Sequence, residues 1–386
     1  MDFALTEEQR IFQESVRGLA NRHLADGALA RAHSPRFPLD VAKLFAQNGL
    51  IGITIPEADG GHGGTLMDAV IAIEQIALVC PRSADVVQAG NFGPLRTFAE
   101  YATPSQKEQY LAKFLTGEAI IALGMSETEA GSAVTDLATT ARQDGDGYRV
   151  NGSKIFTSNS LDADLFLVYV RFGDGIDGIG SVLMDRDMDG FVLGKPTKYM
   201  NGEEWCSLHF DDVYIAPEKV LLGPGGFKKQ IAGFNTERVG NAARSLALGE
   251  FSFELARQHA LIRKQFGRAL CEFQGIQWKF SDMRIQIDAG RLLLYRAAVN
   301  ADRGLPSAME TSIAKAFCNQ AGFELCNESM QVMGGMGYSA ESLVEYCFRK
   351  TRGWQIAGGS NEMMRNRIAE GVFERRFSQR PPRVQG

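Results

Sequence analysis

Apolar residues recur with two different periods along this 386-residue chain. From the start to about residue 120 they repeat every three to four positions, the helical spacing. Phe12, Val16 and Leu19 share one face behind Thr6-Glu7-Glu8-Gln9, a capping box that opens a helix. Met67–Val79 predicts a second helix and Pro104–Leu115 a third, with Thr103 as its N-cap. Between about 121 and 222 the period shifts toward two. "YRVNGSKIFT" places Asn151-Gly152 between polar–apolar runs and predicts a hairpin there, and "DLFLVYVRF", "GSVLMDR" and "WCSLHFDDVYI" predict further strands. Beyond 223 the helical period returns over 237–266, over 273–304 (ending at Gly304 and Pro306), over 309–335, and in a last helix from near Ser360. The expectation is an α+β multidomain chain: an N-terminal helical domain (1–120), a middle β-barrel or sandwich (121–222), a C-terminal four-helix bundle (223–376) and a Pro-rich flexible tail (377–386).

Composition narrows the function classes. With 45% hydrophobic and 23% charged residues there is ample material for a core. Lys and Arg are scattered and the net charge is −5, so no basic face for nucleic acid is expected. No apolar run approaches the ~18 residues of a membrane span. The N-terminus "MDFALTEEQR" carries acids at once and lacks an apolar signal core, which points to a cytoplasmic protein. The six cysteines are dispersed without C-x-x-C and are expected to be reduced; the five histidines form no ligand pair, so no metal is expected.

Several stretches could carry chemistry. Gly173–Gly178 matches G-x-G-x-x-G in letters, but a strand follows it and two aspartates sit within it, so a solvated hairpin loop is expected. "MSETEAGSA" (Met125–Ala133) lies at the helical-to-β junction, where it is either a linker or a ligand-binding loop rich in hydroxyls. "KIFTSNS" (Lys154–Ser160) ends a strand with an aromatic ring followed by hydroxyls. "RKQFG" (Arg263–Gly267) puts a guanidinium at a helix end, suited either to the helix dipole or to a pyrophosphate. "QVMGGMGY" (Gln331–Tyr338) is a helix C-cap or a place of close backbone approach to a ligand. In "NTERVG" (Asn235–Gly240), Asn235 reads as an N-cap with Glu237 in the first helical turn; the sharper reading makes Glu237 a base.

With the helical–β–helical layout, five motifs in order, "MSETEAGSA", "KIFTSNS", "RKQFG", "QVMGGMGY" and "IAGGSNE" (the last from Ile356 to Glu362), resemble the flavin-dependent acyl-CoA dehydrogenase family, over nearly the whole chain. The resemblance implies FAD between the β domain and the C-terminal bundle. Leu123, Met125, Ser126, Phe156 and Ser158 match positions lining the isoalloxazine. Arg263, Phe266, Gln331 and Gly335 match positions that hold the pyrophosphate and adenine side from a neighbouring subunit, and Ser360 and Glu362 match further FAD contacts. Ser132, Asn235 and Arg238 match contacts to the CoA substrate. A homo-oligomer, most often a tetramer, and an electron-transfer flavoprotein as electron acceptor are implied as well. Two positions depart from the family pattern: Ala133 replaces the usual acid, and Phe156 replaces the usual Trp.

The larger departure is Gly358. Most family members carry there the glutamate that removes the thioester α-proton; a minority, similar to the long-chain and isovaleryl-CoA enzymes, places it on the long helix just before an Arg. Glu237-Arg238 with Gly358 fits that minority, so Glu237 is the expected base, with the Gly358 backbone N–H helping to hold the thioester oxygen. The reaction implied is conversion of an acyl-CoA to a 2-enoyl-CoA. Arg82, in "CPRSADVVQ", lies in a segment similar to the one that binds a distal carboxylate in the glutaryl-CoA enzyme, and is either an anion contact or a surface residue at a helix start. "CEFQGIQW" is also similar to the sulfinopropionyl-CoA desulfinases. The alternatives are therefore a desulfinase-like or flavin monooxygenase-like enzyme, or a non-catalytic CoA-binding relative.

Overall fold

The protein, seen in a computed structural model, is described over residues 4–301 and 307–380. Seven helices build the N-terminal part: α1 (Glu7–His23), α2 (Ala28–Ala32), α3 (Leu39–Gln47), α4 (Leu66–Ala77), α5 (Ala84–Asn91), α6 (Gly93–Tyr101) and α7 (Pro104–Leu115). The capping box at Thr6 forms as expected, and Thr103, the expected N-cap of α7, closes a second one with Gln106. Every residue of α4 except Asp68 is buried, which is why its sequence is apolar apart from Asp68, Glu74 and Gln75: it is the core helix of this part. Helices α2, α3, α5 and α6 are absent from the sequence-based expectation. They run only five to nine residues, too few turns to establish a period.

The middle part contains β1 (Ile121–Gly124), β2 (Thr140–Asp144), β3 (Gly147–Ser158), β4 (Leu165–Arg171), β5 (Ile179–Asp185), β6 (Phe191–Leu193), β7 (Thr197–Lys198), β8 (Glu204–Ile215) and β9 (Val220–Leu222). Their hydrogen-bonded order is β6-β8-β3-β2-β4-β5-β9, with β1 parallel to β4 and β7 against β8. Phe166 of β4 meets the ring of Phe191 of β6 at 4.9 Å, although several strands separate them in that order, so the sheet curls over on itself. Leu165, Leu167 and Tyr169 on the other face of β4 pack with Phe98 and Phe114 of the N-terminal helices. Burial on both faces explains the unbroken apolar run of this strand. The 173–178 segment is the β4–β5 hairpin loop, as expected. The hairpin expected at Asn151-Gly152 is not there. Both residues lie inside β3 at a bulge, and the turn into β3 falls at Asp144-Gly145-Asp146-Gly147, a second aspartate–glycine signal a few residues earlier.

The C-terminal part holds α8 (Phe227–Ile262), the small hairpin β10 (Lys264–Gln265) with β11 (Arg268–Ala269), α9 (Gln274–Ala301), α10 (Ala308–Met333), α11 (Gly335–Tyr338), α12 (Leu343–Trp354) and α13 (Asn361–Val372). Helix α12 was not anticipated. Helix α8 starts at Phe227, directly after Gly223-Pro224-Gly225-Gly226, so Asn235 is not an N-cap and Glu237 is not in a first turn; both sit about three turns inside a 36-residue helix. α8 and α10 touch through glycines: a Cβ on Gly322 would lie 2.2 Å from the Ser245 carbonyl oxygen. This contact fixes the side chains of α10 against those of α8. The expected helix end at Gly304 and Pro306, and residues 381–386 of the expected tail, lie outside the described residues. No helix among the described residues is long and apolar enough to cross a membrane.

Candidate active site

The loop after β1 and the end of β3 are locked together. Ile155 N–H donates to the Ser126 carbonyl at 2.9 Å, and Lys154 Nζ reaches the Glu127 carboxylate at 2.6 Å. Glu127 also accepts Ala138 N–H (2.5 Å), Thr139 N–H (3.0 Å) and the Thr139 hydroxyl (2.6 Å). Burial alone would raise the Glu127 pKa, but Lys154 and these donors outweigh it and hold it below the usual range. Burial lowers Lys154 to about 8 against the pull of Glu127. This buried pair, to which sequence reasoning assigned no role, sets Leu123, Met125, Ser126, Phe156 and Ser158 on one platform. Its signal was present: a carboxylate and an ammonium stand among the small and hydroxyl residues of two candidate motifs.

On that platform the Phe156 ring is 56% exposed, with its backbone in the left-handed region at φ 55°. Trp205 lies 4.7 Å from it, and the Tyr199 hydroxyl donates to the Phe156 carbonyl at 2.9 Å. An exposed ring beside the hydroxyls of Ser126 and Ser158 offers what a flavin ring needs: an apolar face and small donors at its edge. Ser132 is exposed in the loop that follows.

A second group surrounds Glu237. Its Oε2 accepts Gln88 Nε2 from α5 at 2.7 Å, and its Oε1 lies 4.0 Å from Arg244 Nη2, while a Cβ on Gly93 would be 3.0 Å from Oε2. Gln88 reaches it only because position 240 is glycine: a Cβ there would stand 2.0 Å from Gln88 Oε1. Asn241 is one turn beyond Glu237 on α8, and the site of a Cβ on Gly358 is 3.6 Å from Asn241 Nδ2 and 3.7 Å from Lys315 Cε. Glu237 and Gly358, more than a hundred residues apart, are therefore linked through Asn241 and Lys315. Burial raises the Glu237 pKa, opposed by Arg244, the Gln88 hydrogen bond and Lys315. Lys315 is buried and lowered to about 7 by that burial and by Arg238, and its Nζ donates to the Gly359 carbonyl at 2.8 Å and the Trp354 carbonyl at 3.2 Å. It ties the glycine loop to α10. Gly358 and Gly359 have φ of 66° and 87°, which glycine adopts freely. Among the described residues nothing accepts the Gly358 N–H.

Arg238 is buried and donates to Asn235 Oδ1 at 2.7 Å, so these two form a pair on α8. Ser360 caps α13 by accepting Met363 N–H, and Glu362 stands exposed in its first turn. Arg82 is not a surface residue: it is 2% exposed, and its Nη1 donates to Asp85 (2.6 Å) and Glu203 (2.8 Å), its Nη2 to the Arg36 carbonyl (3.1 Å). That alters the expected anion contact, because both terminal nitrogens already have protein partners. The remaining expected residues do not share the Glu237 pocket within one chain. Arg263 caps the far end of α8, roughly 39 Å along the axis from Glu237 at ~1.5 Å per residue. Phe266 is 95% exposed on the β10–β11 turn, and Gln331 and Gly335 are exposed near the end of α10. An outward guanidinium, an amide and an open glycine backbone suit the phosphate side of a dinucleotide. Together with the Phe156 platform they fit FAD by the chemistry of the donors present.

The chain matches family models described as the acyl-CoA dehydrogenase N-terminal domain over residues 6–118, middle domain over 122–213 and C-terminal domain over 225–373. It is 31% identical over 386 residues to a 3-sulfinopropanoyl-CoA desulfinase of Paraburkholderia xenovorans, covering 98% of this chain and 99% of that protein. It is also 31% identical over 378 residues to a short-chain-specific acyl-CoA dehydrogenase of Clostridium acetobutylicum, covering 97% and 100%. The structure of butyryl-CoA dehydrogenase from Megasphaera elsdenii superposes with a TM-score of 0.90 at 30% identity, covering 97% of this chain and all of that one. On matches that span all three parts of the fold, and on a site built to suit FAD, this chain belongs to the acyl-CoA dehydrogenase family, flavoprotein oxidoreductases that act on the CH–CH bonds of acyl-CoAs.

Proposed function

We propose that the protein converts a short acyl-CoA to its 2-enoyl-CoA, with Glu237 as the base that removes the α-proton. The observation that carries this is a juxtaposition: a half-buried carboxylate, raised in pKa, linked through Asn241 and Lys315 to a loop whose residue 358 offers only backbone. A base must be ionised yet willing to take a proton. Burial supplies the proton affinity, while Arg244 and Gln88 keep the carboxylate ionisable and hold its orientation. The Gly358 N–H polarises the thioester carbonyl, and negative charge that develops on that oxygen as Cα loses its proton is met by this donor. FAD, when bound, supplies the acceptor for the β-hydride. Leu123, Met125, Ser126, Phe156 and Ser158 hold its ring system, and Ser360 and Glu362 contact it further; Ser132, Asn235 and Arg238 hold the CoA portion.

Arg263, Phe266, Gln331 and Gly335 act on the FAD of a neighbouring copy, which makes the working form a homo-oligomer, in our reading a tetramer. The distance of Arg263 from Glu237 along α8 supports that assignment. An electron-transfer flavoprotein is the proposed electron acceptor, and the cytoplasm the proposed location. Glu237→Gln should keep FAD bound and slow flavin bleaching by substrate about a thousandfold or more, within the 10²–10⁴ range of general-base contributions. Undiminished bleaching would remove Glu237 from the mechanism. The desulfinase relative favours a second reading, in which no oxidation occurs. Formation of 2-enoyl-CoA with an artificial electron acceptor separates the two.

A further inference from the structure

Arg244 tunes Glu237 through its charge, a role that leaves two of its own donors unused. It stands on α8 between Glu237 and Asp85, 9% exposed, with its guanidinium carbon 4.8 Å above the Trp354 ring. Among the described residues only Nη1 is committed, to Asp85 Oδ1 at 2.7 Å. Nε is buried with no hydrogen-bond partner among the described residues, and none of them bonds Nη2, which lies 4.0 Å from Glu237 Oε1. A buried guanidinium with two open donors is costly unless something accepts from it.

The surrounding charges balance only while Glu237 is ionised. Asp85 accepts from Arg82, Arg244 and Lys350 at 2.6, 2.7 and 2.7 Å, and Glu203 accepts from Arg82 and Lys350. Three cations thus share two carboxylates. The third carboxylate in reach is Glu237, the group that becomes neutral when it takes a proton. At that moment the cluster carries an uncompensated positive charge next to the acyl group. Arg82 offers less, since its terminal nitrogens are both bonded within the protein and only its buried Nε is open.

We propose that Arg244 is the specificity-determining residue for the acyl group, and that it selects a short acyl chain ending in an anionic oxygen group such as a carboxylate. This rests on the reading of Glu237 as base, because it places the acyl group over Glu237 and its terminus at the open edge of Arg244. Such a terminus supplies the two missing acceptors and the missing charge. The planar fork of Arg suits a carboxylate better than a lysine would.

The test uses the FAD-loaded protein and two CoA thioethers that have no acidic α-proton, an S-butyl compound and a counterpart of similar length ending in a carboxylate. Calorimetry should show the wild type binding the carboxylate compound at least tenfold more tightly. Arg244→Met should erase that ratio, and Arg244→Lys should retain only part of it. Both variants leave Asp85 paired with Arg82 and Lys350, so neither strands that carboxylate without a cation. A wild type that binds the two compounds equally, or a ratio that Arg244→Met leaves intact, overturns the proposal. Flavin bleaching by Glu237→Gln is measured in parallel: if it persists, the base assignment fails whatever the binding ratio does, so the two failures can be told apart.

Discussion

At the scale of single residues, the chemistry turns on how burial and neighbours set Glu237. Burial raises its pKa above 4.5, and Arg244 and Gln88 pull the other way. Activity needs the ionised form, so kcat/KM is expected to rise with pH through the raised pKa and then level off. Gln88→Leu removes a donor to the carboxylate, so its rising limb should move to higher pH; a limb that stays put would mean the hydrogen bond does not tune the base. Stability responds in the opposite sense. A carboxyl whose folded pKa is raised binds more protons folded than unfolded, so its contribution is fully present below the unfolded value and is lost as pH rises through the folded one. Glu237→Gln should therefore melt at a higher temperature than the wild type at pH 8 and close to it below about pH 4.5, which a series of melting curves would show.

At the scale of elements, the flavin platform depends on one buried ion pair. Lys154 of β3 and Glu127 of the loop after β1 join two segments that the chain order keeps apart. Removing one partner strands the other in the interior, a loss of roughly 3–5 kcal/mol. Lys154→Met is expected to lower stability to denaturant by about that amount and to weaken FAD binding, because Ser126 and Phe156 lose their common anchor. Glu127→Gln, which keeps an acceptor for the Thr139 donors, should cost less. Unfolding in urea and titration with FAD measure the two effects separately. The motifs on either side were legible in the sequence, but the pair between them was not: no local rule says that position 127 meets position 154. Short helices escaped for a related reason, and the start of α8 was displaced although Phe227, Ile231 and Phe234 recur at helical spacing, because Asn235 followed by Glu237 reads locally as an N-cap.

At the scale of the whole molecule, apolar surface remains uncovered along the C-terminal helices. Leu261, Ile262 and Phe266 near the end of α8, Trp278, Ile285 and Leu292 on α9, and Met336 and Tyr338 beyond α10 are all exposed. Patches of that size on a single chain mark contact surfaces. Light scattering is expected to give a mass several times the 42.2 kDa of one chain. Phe266→Asp or Trp278→Asp should lower that mass and the FAD content together. A fully loaded monomer would show instead that each chain holds its cofactor alone.

Periodicity, turn residues and five ordered motifs sufficed for the three-part architecture, the family and its cofactor, because each of those leaves its mark in local spacing. Glycine at 358 and the Glu237-Arg238 step were visible in the same way. What only the tertiary structure decided was which side chains share a pocket. Backbone contact between α8 and α10, made possible by Gly322, carries Lys315 to the glycine loop, and α8 itself carries Glu237 toward Gly358. The same packing buries Arg82 among carboxylates and leaves Arg244 with open donors, a reversal of roles that spacing along the chain could not express. Burial and partner geometry are properties of distances through space, and a linear pattern of residue types does not contain them.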